Sequence, residues 1–414
     1  MTADLTPTPV PEDDLEAFLR DLALAFGEEI DTDELAMLRG EAEADRTLGV
    51  RDDGGRFLAG AAAQTHDLSV PGGARVPTAV VSLLAVRSVL RRRGLGRRLI
   101  GALHEQARER GEALAALQAS EGAIYGRFGY AQAEPTADLR VDVRRSALRP
   151  DAPGAPATSG AQDAAPSIPT PDQAVELAVG LWERLRDQVP GMAHLTRSRA
   201  TALLTRERIG RRDAGPRQLL AVGDRGLASY RIHEDWRRTG PHHTLRVGWF
   251  LATDADAEAR LWRELLAVDL VATLSARGQP VDALLPRLLT DPWAAEIDHG
   301  EGMWLRVLDP SAALAARTLD ADGEVVLEVH DELGIAEGRW RLVGQGGTAS
   351  MVPCRDTPDV SLPVASLGAA LLGGHRLATL ARAGQASEHR LGAMATLDRM
   401  LAWPRAPWCP IPLA

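Results

Sequence analysis

Residues 76–86, VPTAVVSLLAV, form a nearly continuous apolar run, as expected of a strand buried on both faces. After a short turn come Arg91, Arg92, Arg93, Gly94, Leu95 and Gly96, and then Leu95, Leu99, Ile100 and Leu103 recur at helical spacing. A doubly buried strand that feeds an amphipathic helix requires a layered α/β unit. Glycine is a poor helix former, so the two glycines at this junction serve something other than helix propensity. A helix N-terminus carries unpaired N–H groups and partial positive charge. Glycines let an anion approach the backbone there, and arginines strengthen the field, so Arg91-x-x-Gly94-x-Gly96 reads as a phosphate site.

The surrounding chain completes the unit. Residues 12–26 place Leu15, Phe18, Leu19 and Leu22 on one helical face, and residues 31–42 read as a second short helix. RTLGVRD and RFLAGAAAQTHDLSV read as strands joined by the turn at 52–55, and residues 113–120 as a further buried strand.

Composition removes several function classes. No lysine occurs, so all 47 basic side chains are arginine. That excludes the usual phosphate-binding loop with its lysine and any Schiff-base chemistry. A net charge of −10 argues against general nucleic-acid binding and suits a cationic small molecule. Two cysteines, Cys354 and Cys409, suit a reducing cytoplasm and exclude a cysteine-built metal site. His242 and His243 are adjacent and cannot form an i, i+4 metal pair, so no metal is expected. No apolar run is long enough to span a membrane, and the N-terminus does not read as a secretory leader.

Two further stretches carry chemistry. ASEGAIYGRFGY, residues 119–130, follows the strand after the arginine turn and holds Tyr125 and Tyr130, two of the three tyrosines. Ligands of open α/β sheets bind beyond such strand ends, where the Tyr125 phenol could protonate a leaving thiolate. Phe26 and Glu28, at the end of the first helix, offer an aromatic wall and a carboxylate to a substrate carrying ammonium groups.

RRRGL followed by ASEGAIYGRFGY resembles, in order and spacing, the Eis (enhanced intracellular survival) acetyltransferases of actinobacteria. The resemblance implies two GNAT-like acetyltransferase regions followed by a sterol-carrier-protein-like domain, that is, α/β and then α+β architecture. It implies acetyl-CoA as cosubstrate, acetylation of several amines on one acceptor with aminoglycosides as the substrate class, and a homohexamer. Carried over by residue, Leu84, Ala85 and Val86 would pair through their backbone with the pantetheine arm. Arg92, Arg93, Gly94, Leu95, Gly96 and Arg97 would wrap the pyrophosphate, and Ser120 and Glu121 would lie beside the cofactor. Tyr125 would be the general acid and the main-chain carboxylate of Ala414 the general base.

The rest of the chain fits three regions, 1–150, 151–305 and 306–414. Residues 147–172 are rich in proline and small polar residues and read as a linker or exposed loop. Residues 244–270 repeat the strand–turn–helix pattern, with Asp254, Asp256 and Glu258 where the first region has arginines. Acids at a helix start suit the dipole but repel phosphates, so the second region is expected to lack a cofactor site. From about 306, short strands precede helices, as in an α+β unit. The expected function is a cytoplasmic N-acetyltransferase for cationic amines. Acetylation of protein lysines or polyamines, and a non-catalytic acyl-CoA or lipid carrier, are the alternatives.

Overall fold

The computed structural model describes residues 5–154, 165–206 and 214–411. These form two compact units, one of residues up to 134 with 303–407 and one of residues 135–302 with 408–411.

The first unit opens with β1 (Thr8–Pro9), α1 (Leu15–Phe26), α2 (Thr32–Glu41), β2 (Thr47–Arg51), β3 (Phe57–Ser69) and β4 (Arg75–Val86). There follow α3 (Leu95–Glu109), β5 (Leu114–Gln118), α4 (Gly122–Tyr125) and β6 (Ala131–Gln132). Strands β2, β3 and β4 are antiparallel, whereas β4 and β5 run parallel. Helices cover both faces, as the apolar run of β4 demands. On one face Leu95, Leu99, Ile100 and Leu103 of α3 share a core with Ala79 and Val81 of β4. On the other, Leu15, Phe18, Leu19 and Leu22 of α1 pack with Phe57 and Ala85. Phe18 meets Phe57 edge-on at 5.2 Å, over a Gly60 whose added Cβ would lie 2.3 Å from the Phe18 ring. Arg46 at the head of β2 is fully buried and grips Glu112 with two bonds of 2.6 and 2.7 Å.

The second unit contains β7 (Pro135–Asp142), β8 (Pro166–Ser167), α5 (Pro171–Arg186), α6 (Arg197–Thr205), β9 (Gln218–Val222) and β10 (Gly226–His233). It continues with β11 (Trp236–Arg237), β12 (Gly240–Pro241), β13 (His243–Ala252), α7 (Ala255–Leu266), β14 (Val271–Pro280), α8 (Leu285–Leu288) and β15 (Ala295–Glu301). The order β15-β7-β14-β13-β10-β9-β8 again contains one parallel pair, β13 with β14. Helix α7 starts on the carboxylate of Asp254, which accepts from Ala257 N at 2.9 Å. Arg225 bridges Asp254 and Asp256 at 3.2 and 3.0 Å.

The chain then returns to the first unit with β16 (Met303–Val307), which lies between β5 and β6 in the first sheet. It goes on with α9 (Pro310–Ala316), β17 (Gly323–His330), β18 (Gly338–Gln345), β19 (Thr348–Pro353) and β20 (Val360–Pro363). Next come α10 (Val364–Leu371), α11 (Leu377–Arg382), β21 (Ser387–Glu388) and α12 (Ala393–Leu401). The sheet β19-β18-β17-β20-β21 and its helices make the α+β unit expected from the change of pattern.

Both breaks between units fall ahead of the boundaries expected at 150 and 305. Residues 135–142 belong to the second sheet, and β16 to the first. The crossover is held by backbone bonds from Ala133 N and Glu134 N to Met303 O, and by Glu134 Oε2 accepting from Met303 N at 2.9 Å. Hydrophobic periodicity does not encode such strand exchange. The expected linker is packed where it begins: Arg149 N donates to Leu288 O at 2.8 Å and Ala152 is buried. Residues 155–164 lie outside the described part.

Candidate active site

Strands β4 and β5 pair only at Thr78–Leu114, Ala79–Ala115 and Val80–Ala116. Beyond Val80 they splay, so the β5-facing edge of residues 81–86 has no strand partner among the described residues. On the other edge β4 stays paired to β3, with a register shift opposite Gly60–Ala62. The bulge includes Leu83, whose φ of 53° lies in the left-handed region that a leucine rarely adopts. Strain of this kind persists where the surrounding structure holds it, often at ligand sites.

The bulge sends consecutive residues to different cavities. Leu84 and Val86 line a cavity of about 540 Å³ with Leu90, Leu95, Ile124 and Phe128. Arg91, Arg92, Gly94, Gly96, Arg97 and Arg127 complete its basic side, and Glu332 adds one carboxylate. Leu83 and Ser82 line a second cavity of about 350 Å³ beneath α1 and α2.

The first cavity has the chemistry of a phosphate-terminated apolar ligand. Gly94 caps α3 at φ 77° with no side-chain cap, which leaves the first-turn N–H groups available. A Cβ added at Gly94 or Gly96 would meet nothing within 4 Å. Arg92 also has positive φ, 63°, and like Arg93 and Arg97 it is exposed without an ion pair among the described residues. Arg91 is turned back by its Nε bond to Val86 O at 3.2 Å. Ala85 presents backbone only, its side chain being buried against α1. A thiol-linked arm could pair with the open edge of β4 while its phosphates rest on the arginine loop. The residues therefore fit acetyl-CoA.

Tyr125 ends the one-turn helix α4, is 7% exposed and belongs to the same core as Leu84 and Val86. Burial raises its phenol pKa above the usual 10, Glu121 adds to the rise, and a hydrogen bond with Ser120 opposes it. Tyr130 is fully buried and bonds His104 Nε2 at 2.8 Å. Burial, then the nearby Arg306, lowers the His104 pKa to about 3, so this imidazole is neutral. Tyr130 meets Tyr125 edge-on at 6.3 Å, and its N–H donates to Tyr125 O. Arg306 on β16 braces the turn, donating to Phe128 O and to Asp331 at 2.7 Å.

The second cavity is acidic. Phe26 and Glu28, the candidates for holding a cationic substrate, line it together with Glu29, Glu34 and Glu41. Burial, then Asp31 and Glu28, raise the Glu34 pKa, so a cation seated here would relieve carboxylate repulsion. Sequence reading missed Glu29, Glu34, Glu41, Arg127 and Glu332. Glu34, Leu38 and Glu41 share one helical face, which is a usable signal. Glu332 comes from the far C-terminal region and left none. Ala414 lies outside the described residues.

A splayed parallel strand pair over an arginine-rich helix start defines a GNAT-type acetyltransferase. Residues 6–133 and 195–307 match acetyltransferase (GNAT) domain families, and residues 310–410 match a sterol carrier protein domain. An uncharacterized N-acetyltransferase of Streptomyces avermitilis is 34% identical over 96% of this chain and 97% of its own. N-acetyltransferase Eis of Mycobacterium bovis is 35% identical over 77% of this chain and 76% of its own. The crystal structure of Eis1 from Mycobacterium abscessus superposes with a TM-score of 0.83, at 28% identity over 99% of each chain. The chain belongs to the Eis family of N-acetyltransferases.

Proposed function

We propose that this enzyme transfers the acetyl group of acetyl-CoA directly to amines of a polycationic substrate such as an aminoglycoside. The observation that carries the proposal is the pair of cavities on either side of the Leu83–Leu84 bulge, one arginine-lined and one lined by four glutamates. Glu28, Glu29, Glu34 and Glu41 hold the ammonium groups, with Phe26 as an apolar wall. Arg92, Arg93, Arg97 and the N–H groups behind Gly94 and Gly96 hold the pyrophosphate. The open edge of β4 at Leu84–Val86 aligns the thioester and stabilises the negative charge that builds on its carbonyl oxygen.

A base beside the acceptor cavity takes a proton from the ammonium, directly or through water. The amine then forms its C–N bond as the C–S bond breaks. Tyr125, oriented by Ser120, gives its proton to the departing thiolate.

The donor side is tested by calorimetry. A charge-assisted contact contributes roughly 1.5–3 kcal/mol. The double variant Arg92→Ala, Arg93→Ala should therefore bind acetyl-CoA at least about tenfold more weakly, with a smaller loss for a pantetheine thioester. Unchanged affinity for acetyl-CoA would refute the donor assignment.

A further inference from the structure

The donor cavity contains one carboxylate, and it belongs to the sterol-carrier-like domain. Glu332 lies in the loop between β17 and β18 and lines the cavity together with Arg91, Arg92, Arg97 and Arg127. The loop is held firmly in place. Asp331 is buried, pairs with the fully buried Arg306, and accepts from Leu333 N, Ile335 N and Ala336 N at 2.9 to 3.1 Å. Leu333 and Ile335 pack against the core that contains Leu84, Val86 and Tyr125. Glu332 itself is exposed and makes no ion pair among the described residues, although four guanidinium groups line the same cavity.

Charges that share a cavity interact across it, with a strength set by distance and screening. A ligand carrying a pyrophosphate and a further phosphate meets the arginines favourably and Glu332 unfavourably. We propose that Glu332 limits the affinity of the donor site for polyanionic CoA species, so that the thiol product leaves quickly after transfer. This rests on the donor-site reading above. It gives the C-terminal domain a part in cofactor exchange.

The test uses the full-length protein and CoA as probe, with dissociation constants from calorimetry and release rates from stopped-flow displacement. Glu332→Gln should tighten CoA binding about threefold or more, and Glu332→Arg further, mainly through slower release. The gain should shrink as salt is raised. Pantetheine, which lacks the phosphates, should bind all forms alike. Glu337→Gln is the control for a general charge effect, since Glu337 is exposed on the same loop but does not line the cavity. Wild-type binding with no gain in Glu332→Gln, or an equal gain in Glu337→Gln, overturns this inference alone. Failure of the wild type to bind CoA overturns the donor-site reading and this inference with it.

Discussion

Tyr125 and Tyr130 share a turn and differ in what surrounds them. Tyr125 bonds Ser120 and keeps slight exposure, whereas Tyr130 is sealed against His104. A general acid must be protonated in the reactive enzyme. Burial raises the Tyr125 pKa above the usual 10, so the acid form fills the neutral range and any alkaline loss due to this group has its midpoint above that of an ordinary phenol. Tyr125→Phe should lower kcat by roughly 10²-fold with CoA affinity unchanged. Tyr130→Phe should keep kcat but lower stability by about 1–3 kcal/mol, because it strips His104 of its partner. Equal loss of kcat in both variants, measured by steady-state kinetics, would place the acid elsewhere. The position of residues 119–130 beyond a strand end marked Tyr125 as a candidate in the sequence, and the resemblance to the Eis acetyltransferases gave it its proposed role. The His104–Tyr130 bond was not legible, since nothing in a helical histidine's spacing says which side chain from a later turn will meet it.

Among elements, the run from β4 through the arginine turn to α3 was readable because it combines a doubly buried strand with a clear amphipathic face. Leu95, Leu99, Ile100 and Leu103 are all buried on that face. The bulge at Leu83 was not readable: leucine carries no preference for positive φ, and only the β3–β4 register exposes it. Gly129 is a similar case with a sharper consequence. Its φ is 79°, and an added Cβ would lie 1.9 Å from Arg306 Nη1 and 2.8 Å from Val364 Cγ1. Gly129→Ala should therefore push Arg306 away from Phe128 O and Asp331. Breaking a buried pair costs about 3–5 kcal/mol, so thermal unfolding should show a marked drop in Tm. A variant as stable as wild type would show that Arg306 does not brace this turn.

At the scale of the whole molecule, the three-part order was legible because pattern and composition change along the chain. The exchange of strands was not, because β16 completes a sheet begun far earlier in sequence. The same exchange carries the C-terminal domain into the first unit, where Glu332 joins the donor cavity. Charge is divided within that unit as well. Arginines collect at one cavity and glutamates at the other, an arrangement that a net charge of −10 does not reveal. In the second unit Asp254 caps α7 and pairs with Arg225, so the equivalent helix start is closed by its own carboxylate.

The central claim is that these two cavities bring acetyl-CoA and a polyamine together for direct transfer. Its most direct test is thiol release from saturating acetyl-CoA in the presence of an aminoglycoside or a linear polyamine, with the amine product weighed by mass spectrometry. The account predicts amine-dependent thiol release, matched one for one by acetyl groups gained on nitrogen. Thiol release no faster with either amine than without it, and amines recovered at their original mass, would contradict it.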